Sequence, residues 1–283
     1  MIGISFENFL SFSPMAYDMV AHVLTLGFAV MLAALFYFVL SIRTVAPKYR
    51  VSSWLSVVVM VSAFLILFYQ AQSWTNAFAF NSATGLYERA AGAPAFSNGF
   101  RYLNWLIDVP MLLFQILFVV EITKATRQTL RNQFFFAGAA MIITGYIGQF
   151  YETAENIAPF LIWGGSSTVF FVWVLILMYR LIRDARQNLE GEASTLMGAI
   201  WWLFLISWFL YPGAYLMPVI LNNEAGVVGR QITFTVADIS SKVIYGVLLA
   251  RVAQVRSEQE GYIFQNLFGG LGTGEPKASA SAD

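Results

Sequence analysis

Two ionisable residues lie four positions apart in an otherwise apolar stretch near the end of the chain. Asp238 and Lys242 belong to residues 234–242, and positions i and i+4 share one face of a helix. An unpaired ammonium in apolar surroundings must pair with a carboxylate, lose its proton or be modified covalently. Because a desolvated lysine is also the usual Schiff-base former, Lys242 is a candidate attachment site for a carbonyl ligand.

A second set of polar residues follows one face of an apolar segment in the middle of the chain. Within an arc of roughly 60°, at about 100° per residue of helix, this face presents Arg101, Asn104, Asp108 and Gln115. Asp108 and Asp238 can together supply counter-charge to Lys242. A structural salt-bridge cluster has the same composition, so these polar residues alone favour structure and function about equally.

Aromatic residues and a proline accompany the polar residues in the same segments. They are Trp105, Trp208, Tyr211, Pro212 and Tyr215. Aromatic side chains in apolar segments usually serve packing. Beside a lysine inside an apolar span, they can also line a slot for a flat conjugated ligand.

The composition indicates which elements position these residues. Only 11% of the 283 residues are charged and 58% are hydrophobic, whereas a soluble domain has about 25% charged residues. This composition argues against a soluble enzyme and against a disordered or nucleic-acid-binding protein, and it indicates a membrane protein. The absence of cysteine and the single histidine exclude a disulfide framework and a multi-histidine metal site.

Seven apolar stretches are long enough to cross a bilayer. They are residues 16–42, 51–76, 98–123, 130–151, 156–182, 195–221 and 228–255. We therefore predict an all-α membrane protein, a bundle of seven transmembrane helices within residues 1–257, followed by a partly disordered tail at 258–283. Ser13 and Pro14 are typical of a helix start, and residues 77–97 favour a short hairpin.

The basic residues predict the orientation of the bundle. Most of the 16 Lys and Arg residues follow the first, third, fifth or seventh span, whereas the opposite loops contain Arg89. By the positive-inside rule, the N-terminus lies outside and the C-terminus inside. An odd number of spans agrees with that orientation.

These features together resemble the microbial rhodopsins. Seven spans, a lysine in the last span and a carboxylate four residues before it are typical of that family. The sequence resembles most closely the light-driven sodium pumps, which are named for a triplet of Asn, Asp and Gln in the third helix, here Asn104, Asp108 and Gln115. Residues 143–152 and 208–215 also match, and the resemblance extends from about residue 6 to residue 251.

The resemblance implies a role for each polar residue of the interior. Retinal would be bound to Lys242 as a protonated Schiff base, with Asp108 as its counterion and proton acceptor. Asp238 would be the second carboxylate and, with Asn104, would form a transient sodium site. The remaining assignments are Gln115 on the cytoplasmic uptake path, Ser62 near the photochemical centre and Arg101 as a gate of the extracellular half.

The same resemblance implies an ion exit and the setting in which the protein works. The extracellular exit region would contain Glu7, Gln70, Glu152 and Arg230. The expected protein is a bacterial plasma-membrane pump that interacts with lipid, Na⁺ and H⁺, not with nucleic acid. A homo-oligomer, possibly a pentamer, is implied because His22 resembles a histidine at a protomer contact; a packing histidine is an equally weighted alternative.

Four other functions are weighed against outward sodium pumping with proton pumping when sodium is absent. A dedicated proton pump is compatible with Asp108 but is disfavoured by the amides of Asn104 and Gln115. A chloride pump is disfavoured more strongly, because Asp108 occupies the place of the anion. A photosensor has a low weight because no transducer domain is visible, and an enzyme is not expected because Lys242 lacks an accompanying nucleophile–base pair or phosphate loop.

Overall fold

The computed structural model describes residues 5–262, which fold into seven long helices. They are α1 (Pro14–Ser41), α2 (Arg50–Ala77), α3 (Gly99–Gln115), α4 (Lys124–Gln149), α5 (Ala158–Gln187), α6 (Gly191–Tyr215) and α7 (Glu224–Gln259). Each helix packs against the next, and α7 closes the bundle by packing against both α6 and α1. The predicted seven-helix, all-α bundle is therefore confirmed. The predicted disorder of the tail concerns mostly residues 263–283, which lie outside the described residues.

Local sequence signals account for several ends of these elements. Ser13 caps α1 by accepting a hydrogen bond from the backbone N–H of Ala16 at 3.3 Å, with Pro14 at the first helical position, as predicted. The predicted hairpin follows α2 as strands β1 (Phe78–Asn81) and β2 (Leu86–Arg89), which pair antiparallel. Gly85 has a φ of 72° in the turn, a conformation that favours glycine.

The predicted third span is too long. The apolar pattern predicts a span that continues to residue 123, but α3 ends at Gln115 and is followed by a 3₁₀ turn, Ile116–Phe118. Val119 and Val120 are buried beside this turn. These apolar residues fill the core between helices instead of extending α3, and a count of apolar residues does not distinguish the two cases.

Hydropathy and length alone identify fewer spans than the fold contains. Among residues 5–262, five helices are long and apolar enough to cross a membrane: α1, α2, α5, α6 and α7. Helix α3 has 17 residues, and α4 begins with Lys124, Arg127 and Arg131 in its first turns. The fourth span therefore starts six residues earlier than the predicted residue 130, in a polar segment. Thr123 caps this helix, since its hydroxyl accepts a hydrogen bond from Thr126 N at 3.1 Å.

Helix α7 changes its winding where its lysine lies. Residues Ile239–Ile244 form a π-helical turn between α-helical segments, and this turn contains Lys242. Both Ser241 and Lys242 are buried within it. A π turn within an α-helix often occurs at a functional site because it changes the direction of a side chain relative to its neighbours.

Candidate functional site

Lys242 is the centre of a buried cluster of charges. Its side chain is 1% exposed, and its Nζ atom lies 2.7 Å from Asp238 Oδ1 and 3.3 Å from Asp108 Oδ2. Nζ also donates to Asn104 Oδ1 at 3.2 Å. The i,i+4 spacing on α7 provides the first contact, and packing of α3 against α7 provides the other two. With Arg101, the four interior charges sum to zero.

Asp238 is the more fully hydrogen-bonded of the two carboxylates. Its Oδ1 accepts from Lys242, from Trp105 Nε1 at 3.1 Å and from the Tyr211 hydroxyl at 2.9 Å. Its Oδ2 accepts from Arg101 Nη1 at 2.9 Å. Four donors, two of them cationic, stabilise the ionised form of this carboxylate.

Asp108 has a different environment. Both of its carboxylate oxygens are buried, and neither accepts a hydrogen bond of standard geometry from the described residues. Its close cation is Lys242, at 3.3 Å. A buried carboxylate with few donors holds its charge at a cost, so Asp108 is the carboxylate better suited to receive a proton.

The polar face predicted for α3 is buried along its length. Arg101, Asn104, Asp108 and Gln115 are each at most 2% exposed. Asn104 connects Lys242 to α2, since its Nδ2 donates to Ser62 Oγ at 2.6 Å. At the end of α3, both polar atoms of the Gln115 amide are buried without a hydrogen-bond partner among the described residues. The amide can therefore still form a hydrogen bond with water or coordinate an ion.

An apolar cavity of about 200 Å³ adjoins Lys242. All five predicted ligand-contacting residues line it: Trp105, Trp208, Tyr211, Pro212 and Tyr215. Gly164 also lines it, and a Cβ atom at this position would lie 2.7 Å from the Tyr215 ring. A glycine is therefore required on α5 for Tyr215 to take its place, with its hydroxyl donating to the Phe160 carbonyl at 2.8 Å.

A second buried cluster joins the N-terminal segment to α7 and to the turn after α4. Arg230 lies 2.7 Å from Glu152 Oε2 and 3.4 Å from Glu7 Oε1. The structure thus brings three of the four predicted exit residues into direct contact. Gln70 is not part of this contact, since its amide donates to the Ser97 carbonyl at 2.9 Å. With two carboxylates and one guanidinium, the cluster has a formal charge of −1.

Gln231 connects the two clusters, and sequence reasoning missed it. Its Oε1 accepts from Arg101 at 3.2 Å, and its Nε2 donates to Glu7 at 3.1 Å and to Asn98 at 2.9 Å. Hydrogen bonds and ion pairs therefore run without a break from Lys242 to Glu152. Two features of the sequence could have indicated this connection. Gln231 lies two helical turns before Asp238 on the same face of the helix, and its partner Asn98 immediately precedes α3.

His22 does not pack inside the bundle. Its side chain is exposed on the outer surface of α1, so the alternative of a buried packing histidine is wrong. An exposed position is compatible with a contact to another protomer, which stays a prediction.

Comparisons with known proteins identify the family and the fold. A model of the bacteriorhodopsin-like protein family matches residues 18–255. The crystal structure of xanthorhodopsin, described as a light-driven ion pump with a dual chromophore, has a TM-score of 0.81 and 34% identity, covering 89% of this chain and 99% of that one. The crystal structure of thermophilic rhodopsin has the same TM-score and coverage, with 31% identity.

A curated relative matches a shorter part of the chain. Archaerhodopsin-3 from Halorubrum sodomense is 30% identical over 163 residues, which are 56% of this chain and 59% of that protein. The match thus spans less than two thirds of that relative's length.

Proposed function

Because the chain belongs to the bacteriorhodopsin-like family of microbial rhodopsins, we propose that it is a light-driven outward sodium pump, with proton pumping when sodium is absent. The observation that supports this most directly is the contact of Lys242 with both Asp108 and Asn104, at 3.3 and 3.2 Å. One side chain at the lysine can receive a proton, and its neighbour can offer a neutral oxygen ligand to a cation.

The residues around Lys242 fit all-trans retinal as the chromophore. An amine 1% exposed, next to an apolar cavity lined by aromatic rings, suits a long conjugated aldehyde. Retinal attached to Nζ would supply light absorption and a change of shape that lowers the proton affinity of this nitrogen. Trp105, Trp208 and Tyr215 would exclude water, and Tyr211 would stay fixed by its hydrogen bonds to Asp238 and Ser241.

Asp108 is the proposed acceptor of the proton from Lys242 Nζ. Asp238 is closer, at 2.7 Å, but its four hydrogen-bond donors stabilise its anionic form. Asp108 has few such donors, so its anionic form is less stabilised. Protonation of Asp108 removes its negative charge, and departure of the proton from Nζ removes the positive charge that repels a cation. Asp238 then keeps its charge, and Asn104 Oδ1, no longer accepting from Nζ, is free to bind sodium.

The path of sodium follows the buried polar residues. Gln115 provides amide groups at the uptake side, and an amide cannot supply a proton to Lys242 as a carboxylic acid would. The transient site uses oxygens of Asn104 and Asp238, which suit a hard cation, beside Ser62. Arg101 separates this site from Gln231, and the net negative cluster of Glu7, Glu152 and Arg230 favours a cation leaving the protein.

The proposed setting is the bacterial plasma membrane, with the N-terminus outside. Lys124, Arg127 and Arg131 at the start of α4, and Arg183 and Arg186 at the end of α5, support a cytoplasmic location of that end. The exposed His22 and apolar outer face of α1 are compatible with a homo-oligomer, possibly a pentamer.

Light-driven pH changes in cells test the proposal. In NaCl with a protonophore, outward sodium movement makes the interior negative and draws protons in, so the medium should become more alkaline on illumination. In KCl the sign should reverse or the signal should be lost, and Lys242→Ala should show no signal in either salt. A light-driven acidification in NaCl that the protonophore abolishes would identify a dedicated proton pump instead.

The photocycle separates pumping from sensing, the remaining alternative. Flash photolysis of the purified protein should show a millisecond cycle whose late phase depends on sodium concentration. A cycle lasting seconds and indifferent to both salts would favour a photosensor.

A further inference from the structure

A second cavity lies between the last turns of α5 and the first turns of α6. Its volume is about 290 Å³, and it is separate from the cavity beside Lys242. The lining side chains that bear on its chemistry are Tyr179, Arg183 and Arg186 on α5, with Ser194 and Trp201 on α6. The combination of guanidinium, hydroxyl and aromatic groups is that of an anion site with an amphipathic border.

Arg186 lines this cavity while remaining exposed, and it has no anionic partner among residues 5–262. Its guanidinium lies against Gly198 of α6, where an added Cβ atom would be 3.3 Å from Cζ and 3.4 Å from Nη1. An added Cβ atom would therefore fit here only if the guanidinium moved by a few tenths of an ångström. Within residues 5–262, Arg186 makes no hydrogen bond or ion pair, whereas Arg183 pairs with Asp184 at 2.8 Å.

The surface that leads to the cavity is apolar and exposed. Val172, Ile176 and Tyr179 are 46%, 44% and 49% exposed, and they follow one another at intervals of four and three residues on α5. The same intervals lead on to Arg183 and Arg186, so a single outer face of α5 changes from apolar to cationic. Tyr179 packs on Trp201 with ring centroids 5.2 Å apart, and both residue types are enriched at the bilayer interface.

We propose that this cavity binds the headgroup of an anionic phospholipid. The phosphate lies against Arg186, since the planar guanidinium can donate two parallel hydrogen bonds to phosphate oxygens. An acyl chain lies along the face of Val172, Ile176 and Tyr179. A zwitterionic lipid binds less well, because its ammonium group would meet the positive charges of Arg183 and Arg186.

Native mass spectrometry of the retinal-containing protein tests this site. The protein is incubated in detergent with equal amounts of phosphatidylglycerol and phosphatidylcholine, and the retained lipids are counted. The wild type should retain phosphatidylglycerol in preference, and Arg186→Gln should reduce that retention about fivefold, the effect of one cation near an anionic surface. Gly198→Leu, which keeps the charge but takes the space of the guanidinium, should reduce it as well.

Arg180→Gln is the matched control. Arg180 is exposed on the same end of α5 but does not line the cavity, so its loss should leave lipid retention unchanged. An equal decrease in both arginine variants would show diffuse attraction to basic residues and overturn the proposal. Displacement of the lipid by millimolar inorganic phosphate would also overturn it, since it would identify a site for small anions. Visible absorption confirms that each variant is folded, and the lipid count does not depend on ion pumping.

Discussion

At the scale of single residues, the two carboxylates beside Lys242 are held differently, and this difference can be measured. Asp238 has four donors, and Asp108 has one close cation. Asp108→Asn should leave a folded, coloured protein because Lys242 keeps its ion pair with Asp238. Its absorption should shift to longer wavelength, since a counterion that stabilises the ground state is lost, and its light-driven ion transport should be abolished.

Asp238→Asn, in contrast to Asp108→Asn, should strongly destabilise the protein. It leaves Arg101 without its carboxylate and removes the closer partner of Lys242, and breaking a buried ion pair typically costs about 3–5 kcal/mol. Its thermal bleaching midpoint should therefore fall well below that of Asp108→Asn. Equal bleaching midpoints for the two variants would contradict the division of roles between the carboxylates.

Lys242 itself is tested by its removal. Lys242→Ala has no amine next to the cavity, so the protein should stay colourless in the visible range after addition of all-trans retinal. Lys124→Ala, at the polar start of α4, should become coloured like the wild type. A visible band in Lys242→Ala comparable to that of the control would show that retinal attaches elsewhere.

The sequence predicted residue contacts well where one helix determines them. Asp238 and Lys242 are neighbours on α7 by spacing alone, and so are the residues of the α3 polar face. The network of Gln231 escaped prediction because its partners Arg101, Glu7 and Asn98 belong to other elements. No local pattern determines which side chains of α3, α7 and the N-terminal segment meet.

At the scale of elements, the cluster around Arg230 connects the N-terminal segment, the α4–α5 turn and α7. Arg230→Gln would leave Glu7 and Glu152 buried without their cation, at a cost of about 3–5 kcal/mol. Arg251→Gln, also on α7, breaks a pair with Glu192 whose side chains are 41% and 51% exposed, and solvent screening makes the contribution of such a pair to stability small. Thermal bleaching should therefore occur at a clearly lower temperature in the first variant only, and similar midpoints would be evidence against the structural role of the cluster.

The end of α7 is attached to the turn between α1 and α2 by Glu260. Its carboxylate lies 2.7 Å from Lys48 Nζ and accepts from the Tyr49 hydroxyl at 2.6 Å. Partial burial tends to raise the pKa of Glu260, but these two hydrogen bonds, together with the positive charges of Lys48 and Arg256, outweigh it and lower the pKa below its ordinary value. A lowered pKa in the folded state gives stability that is present above the ordinary pKa and lost as the pH falls.

Acid should therefore remove this attachment. Between about pH 5 and pH 3, the bleaching midpoint of the wild type should decrease more than that of Glu260→Gln. The difference should be small, below about 1 kcal/mol, because the side chain is 36% exposed and solvent screens the pair. Glu258→Gln, whose side chain is 64% exposed, is the control and should follow the wild type. A parallel decrease in the wild type and Glu260→Gln would be evidence against the attachment.

Element boundaries were less predictable than the number of spans. The apolar run through residue 123 overestimated α3, because Val119 and Val120 are buried in a turn. The π turn that contains Lys242 has no signature in hydropathy, and it packs against α1, α2 and α6, which belong to other parts of the sequence. The number of spans, by contrast, was predictable from the seven apolar stretches of the sequence, although only five of the seven helices within residues 5–262 qualify by hydropathy and length alone.

At the scale of the whole molecule, the bundle encloses a cavity that the chromophore should stabilise. An apolar cavity of about 200 Å³ costs about 5 kcal/mol when empty, at about 24 cal/mol per Å³. Bleaching with hydroxylamine and removal of the retinal product should therefore lower the unfolding midpoint, followed by circular dichroism. Re-addition of all-trans retinal should restore both the midpoint and the colour.

Retinol separates cavity filling from attachment to Lys242. It has nearly the shape of retinal but no aldehyde, so it should restore part of the midpoint without restoring colour. Partial recovery would mean that packing in the cavity stabilises the bundle and that the bond to Lys242 adds to it. If removal of retinal left the midpoint unchanged, the cavity lined by Trp105, Trp208 and Tyr215 would not be the chromophore site, and the proposed pump would lose its light-absorbing centre.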